Sequence, residues 1–100
     1  MKITDVKSYL LAIPCREEKF PTPWVWGNFN QIIVAVTTDE GITGYGEAFG
    51  YGVPRATLAV VNHLLKPMLL GADPTDISSL LERMYRQTHL FGRYGITTFA

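Results

Sequence analysis

Phe29-Asn30-Gln31-Ile32-Ile33-Val34-Ala35-Val36-Thr37-Thr38-Asp39-Glu40-Gly41-Ile42-Thr43-Gly44-Tyr45-Gly46-Glu47-Ala48 is the stretch that decides the fold. The unbroken apolar run from Ile32 to Val36 reads as a strand covered on both faces, since a strand half-exposed to water would alternate. Asp39-Glu40-Gly41 then reads as a tight turn, with Gly41 supplying the positive φ that a bulged hairpin demands. Ile42 to Ala48 returns as a second strand of the hairpin. Upstream, Ile3 to Ile13 reads as a further strand with Val6, Ser8, Leu10 and Ala12 on one face and Asp5, Lys7, Tyr9 and Leu11 on the other, ended by Pro14. Three such strands in sequence form an antiparallel meander.

Downstream the period changes from two to that of a helix. Pro54 to Leu65 begins with a proline suited to a first helical turn, and Ala56, Ala59, Val60, His63 and Leu64 form a stripe widened by Val61 and Leu65. Pro67 is expected to end or kink this helix, with Gly71 as its stop. Asp73 reads as the cap of a second helix, with Pro74 in the first turn and the carboxylate of Asp76 near its orphan amides. Ile77, Leu80, Leu81, Met84, Tyr85 and Thr88 then give it an apolar face. Leu90 to Gly95 is a turn-rich link, and Ile96 to Ala100 opens another apolar element. Natural termini are usually polar, so this ending predicts a chain that continues past Ala100. The fold class is α+β: a three-stranded antiparallel meander followed by helices.

Composition excludes several function classes. Lys and Arg number 9 against 9 Asp and Glu, and the basic residues are scattered singly, so no charged stripe exists to neutralise nucleic-acid phosphates. Cys15 is the only cysteine, which rules out an internal disulfide and Cys-rich zinc sites within the chain. The amino terminus lacks a signal or transit pattern, and the apolar stretch Ala59 to Leu70 is broken by Asn62, His63, Lys66 and Pro67. No membrane partner is expected, and the location is expected to be cytoplasmic. Gly44, Gly46, Gly50 and Gly52 permit close backbone approach but lack the spacing and the lysine of nucleotide-binding loops.

The order of these elements and the residues at their joints are recognisable. Lys2-Ile3-x-x-Val6 with Pro14, Val34 to Thr38 running into Asp39-Glu40-Gly41-Ile42-Thr43-Gly44-Tyr45-Gly46-Glu47, Leu70-Gly71-Ala72-Asp73-Pro74 with Ile77, Leu81 and Met84, and Gly92-Arg93-Tyr94-Gly95-Ile96 occur in order. Together they resemble the amino-terminal capping domain of the enolase superfamily, in the branch of mandelate racemase, muconate lactonising enzymes and acid-sugar dehydratases. The resemblance implies a capping domain over residues 1–91, with 92–100 a linker and the start of a (β/α) barrel. It implies a Mg²⁺-dependent lyase or isomerase that removes a proton α to the carboxylate of a small acid, acting as a homo-oligomer. Acid-sugar dehydratase is preferred, racemase or epimerase is close behind, and cycloisomerase stays open. Catalytic residues and Mg²⁺ ligands are expected beyond Ala100, with none in this segment.

The resemblance also implies that loops at Cys15 to Asn28 and Phe49 to Val53 close over substrate. Trp24 and Trp26 offer ring area that can exclude water and shape a pocket, or pack on the domain's own sheet. Lys19 could offer a cation to a substrate carboxylate. Phe49 and Tyr51, beside Gly50 and Gly52, are candidates to point into a neighbouring cavity, with local packing as the alternative. Glu47 reads as a structural anchor that must be paired if buried. His63, His89 and Cys15 read as structural. The rival function is a non-enzymatic α+β module that binds a partner through the Trp24 and Trp26 loop.

Overall fold

The computed structural model describes residues 1–14, 28–50 and 52–100. Three strands, β1 (Ile3–Pro14), β2 (Asn28–Thr38) and β3 (Thr43–Ala48), form one antiparallel sheet in the order β1-β2-β3. The meander and the α+β class read from the sequence are what the structure shows. Gly41 takes φ +78° in the β2–β3 turn, where the amide of Thr38 donates to the carbonyl of Ile42 at 2.9 Å. A bulge between Ile3 and Asp5 shifts the β1 register, so Ile3 and Val6 share the inner face although three positions separate them.

The inner face of the sheet carries Ile3, Val6 and Ile32, joined by Ala48 at the end of β3, and Val61 of the helical layer packs against them as the core. Ile32 is completely buried, because it sits on the central strand directly under the helices. The outer face holds Tyr9, Leu11, Ile13 and Tyr45, all exposed. The apolar run of β2 therefore meets helices on one side only within the described residues, and Ala35, buried on the outer side, is sheltered between β1 and β3.

The first helical rod runs further than its proline suggests. α1 (Pro54–Ala59) passes into a π-helical stretch (Val60–Leu65) and then α2 (Lys66–Leu69), so Pro67 neither ends the rod nor leaves it a pure α-helix. The amide of Lys66 donates five residues back, to the carbonyl of Val61. That widened turn lets the rod pass through a residue with no amide hydrogen. The rod stops at Gly71, φ +80°, where Gly71 and Ala72 exchange backbone hydrogen bonds with Ile3, each 2.8 Å. Ser8 of β1 donates to Oδ1 of Asn62 at 2.5 Å, so Asn62 is the polar group that the π-helical stretch turns inward, while His63 is exposed.

The second helix, α3 (Ile77–Gln87), is capped by Asp76 rather than Asp73. Asp76 accepts from the amide of Ser79, whereas the carboxylate of Asp73 is already taken by the amide and hydroxyl of Thr75 at 2.9 and 2.7 Å. Those two bonds hold the Asp73 carboxyl below its ordinary range. The apolar stripe of α3 is only half used: Leu80 packs on the core and Thr88 is buried, but Ile77, Leu81 and Tyr85 are exposed. A 3-10 turn (His89–Phe91) and a short helix, α4 (Ile96–Phe99), complete the chain, and Ala100 packs back on the core. No helix among the described residues is long and apolar enough to cross a membrane.

Asp5 ties β1 to the rod through an ion pair with Lys66 at 2.7 Å. The hydrogen bond from Lys66, with smaller help from its charge, the Val6 amide and Lys7, holds the Asp5 carboxyl below its ordinary range, against the opposing cost of burial. A carboxyl depressed in the folded state contributes stability above its unfolded pKa and loses it as pH falls through the folded value. Lys66→Met should therefore lower the urea midpoint at about pH 7, and its deficit against the parent chain should close below about pH 4 as Asp5 becomes protonated. A deficit that stays constant across that range would show that the pair contributes nothing electrostatic.

Candidate functional site

The sheet delivers one described segment to its end as a candidate site, the passage from β3 into α1. Ala48 is buried in the core, and the next residue, Phe49, turns outward with 53% of its surface exposed. Gly50 is buried beneath this turn. A methyl group there would stand 2.8 Å from Cδ1 of Ile32 and 3.0 Å from Cα of Pro54, so only glycine fits without displacing core or backbone. Gly52 takes φ +78°, a conformation that a side chain disfavours. Pro54 then opens α1 with its ring at a position whose amide would have had no helical partner.

Thr57, one turn into α1 and 2% exposed, fastens the base of this passage. Its hydroxyl donates to the carbonyl of Phe49 at 3.1 Å, across the loop. Reading the sequence alone missed Thr57, although a threonine at four-residue spacing from Val61 and Leu65, both buried, is a signal that could have been followed. Gly50→Ala is expected to cost about 1–3 kcal/mol by overpacking against Ile32, read as a lowered urea midpoint with an unchanged slope. No loss would mean that the foot of the loop is more yielding than its contacts imply.

The other candidates fall in different places. Lys19, Trp24, Trp26 and Tyr51 lie outside the described residues. Glu47 stands opposite Ile33 on the outer face of β3 and is exposed, so burial in this domain does not hold it as an anchor. Phe49 is thus the one candidate described at the loop. Among the described residues, no group of three His, Cys, Asp or Glu could hold a metal ion. Among the described residues, two cavities lie elsewhere. One, of about 540 Å³, runs along the exposed side of α3 past Leu81, Tyr85, Arg86, His89 and Arg93. Another, of about 230 Å³, lies between the sheet and α3, among residues such as Val34, Val61, Met84 and Thr88. Neither is lined by Phe49 or its neighbours.

This arrangement can bind and shape, because it presents an aromatic ring on a firm glycine-rich base. Among the described residues it brings together no acid, base and cation for chemistry.

Comparison with known proteins places the architecture. The profile of the mandelate racemase/muconate lactonizing enzyme N-terminal domain matches residues 26–99. The chain belongs to that family. The N-terminal domain described here is 38% identical over 65 residues to an arabinonate dehydratase of Saccharolobus solfataricus, covering 65% of this chain and 17% of that protein. It is 32% identical over 89 residues to an N-succinyl-L-Arg/Lys racemase of Bacillus cereus, covering 84% of this chain and 24% of the relative. Its fold superposes with TM-score 0.79 and 28% identity on a racemase from Streptomyces coelicolor A3(2) crystallised with bound magnesium, covering 96% of this chain and 28% of that one. The N-terminal domain therefore spans about a fifth of the length of the curated relatives.

Proposed function

We propose that residues 1–100 form the substrate-capping part of a Mg²⁺-dependent enzyme that removes a proton α to a carboxylate, and that an acid-sugar dehydratase is the best reading. Membership of the N-terminal domain family is the observation that carries this proposal. The likeness to an arabinonate dehydratase favours water loss, and the likeness to a racemase keeps racemisation or epimerisation close behind. The natural protein then continues into a second domain, with residues 92–100 as the passage. Gly92 at φ +79° and Gly95 at φ +115° support a change of chain direction there.

The division of labour follows from the residues present. Phe49 contributes apolar area at the rim, and the buried base of its loop keeps that area in place, which excludes water and selects substrate shape. When bound, Mg²⁺ would supply positive charge toward the substrate carboxylate. The described residues offer no ligand set for it, so we assign its ligands, and the base that takes the α-proton, to the second domain. The exposed halves of α3 and of the sheet's outer face support the same reading, since so much apolar surface is normally covered. We further infer that the full protein is a homo-oligomer, to be checked by light scattering, and cytoplasmic, to be checked by fractionation. The lone Cys15 agrees with a reducing compartment.

The test is product analysis with the full natural protein, Mg²⁺ and a panel of aldonic acids. A dehydratase breaks the Cα–H and Cβ–O bonds, releases water, and leaves an enol that becomes a 2-keto-3-deoxy acid. That product is expected. Inversion at the α-carbon without loss of water would move the assignment to racemase or epimerase, and inertness toward every acid would overturn the proposal.

A further inference from the structure

We infer that Thr57 is a positioning residue for substrate selection: its buried hydroxyl, together with the close fit of Gly50, sets the direction in which Phe49 leaves the sheet. The inference rests on the capping function proposed above and adds the device that fixes the cap's rim.

A buried hydroxyl needs a partner, and a threonine inside a helix normally finds one in its own helix, three or four residues back. Val53 lies four residues back from Thr57, and its carbonyl already accepts from the amides of Ala56 at 3.0 Å and Thr57 at 3.5 Å. The Thr57 side chain instead reaches out of α1 to the carbonyl of Phe49 at 3.1 Å. It therefore ties the start of the loop to the first turn of the helix. Gly50, the next residue after that carbonyl, is pinned from the other side by Ile32, which is completely buried, and by Pro54. The peptide joining Phe49 to Gly50 is thus held on one side by a hydrogen bond and on the other by the core. Phe49 itself stays half-exposed on this fixed base. A rim built this way presents its ring at a set angle, which is how an interior residue with no access to substrate can influence which substrate fits.

The experiment compares Thr57→Val, which keeps shape but removes the donor, with Thr57→Ser, which keeps the donor. It uses the full natural protein with Mg²⁺ and aldonic acids. Thr57→Val is expected to raise KM about fivefold to tenfold with kcat within about twofold, and to change the ranking of the acids, while Thr57→Ser stays within about twofold of the parent. A separate readout is amide hydrogen exchange at Gly50 and Gly52, expected to quicken in Thr57→Val alone. If the parent protein turns over no acid, the proposed function fails and substrate selection fails with it, while the exchange pattern still decides whether Thr57 holds the loop. Equal KM values for the two variants, or exchange at Gly50 unchanged in Thr57→Val, would overturn it and leave Thr57 a packing residue.

Discussion

Ile32→Ala is expected to destabilise the domain by about 2–5 kcal/mol, and Ile32→Val by about 0.5–1.5 kcal/mol. Ile32 is 0% exposed, stands on the central strand, and belongs to the core formed with Ile3, Val6, Ala48 and Val61. Truncating it removes apolar area and leaves a cavity that a sheet hydrogen-bonded on both sides of β2 cannot easily close. The loss is a large share of the roughly 5–15 kcal/mol that single domains possess. Urea unfolding of the parent and both variants checks this. A cost for Ile32→Ala below about 1 kcal/mol would mean that the core is not organised around β2.

Phe49→Ala in the full natural protein is expected to lower kcat/KM for the best acid by about tenfold to a hundredfold, mainly through KM. Losing the contact of a large aromatic ring removes roughly 1.5–3 kcal/mol, and each 1.4 kcal/mol is tenfold. Because the ring is half-exposed in this domain, the same substitution should shift the urea midpoint far less than Ile32→Ala. Steady-state kinetics and unfolding on one preparation separate the two effects. A large loss of stability with an unchanged kcat/KM would return Phe49 to local packing.

The strands were legible because their signals are local and cooperative. The run Ile32 to Val36 and the turn at Gly41 placed β2 and β3 within a residue of their observed ends. The β1 bulge was not legible, since a shift between Ile3 and Asp5 is set by pairing with Thr37 and Thr38 and not by local pattern. Pro67 misled for a specific reason. Its missing amide is visible in sequence, but the bond from Lys66 to Val61 spans five residues, a π-helical spacing that the local pattern does not announce. Asp73 and Asp76 carry the same capping chemistry, and the choice went to Asp76 because Thr75 captured Asp73 first. In α3, periodicity marked the apolar positions correctly but could not tell which half of the stripe this domain would use.

The site was less legible than the fold. The resemblance pointed to the loop after β3, and Gly50 does make the close approach that the glycine spacing permits. Glu47, expected as an anchor of the cap to the barrel or to its own loop, is carried outward by strand alternation opposite Ile33. Thr57 escaped notice because its partner, the carbonyl of Phe49, lies outside its own helix.

The most direct test is release of deuterium to solvent from small carboxylic acids labelled at the α-carbon, run with the full natural protein and with residues 1–100 in parallel, with and without a chelator. Release by the full protein, its loss on chelation, its recovery with Mg²⁺, and no release by residues 1–100 alone are expected. Release by residues 1–100 alone, or none by the full protein with Mg²⁺ present, would contradict the assignment of this domain as a cap over chemistry performed elsewhere.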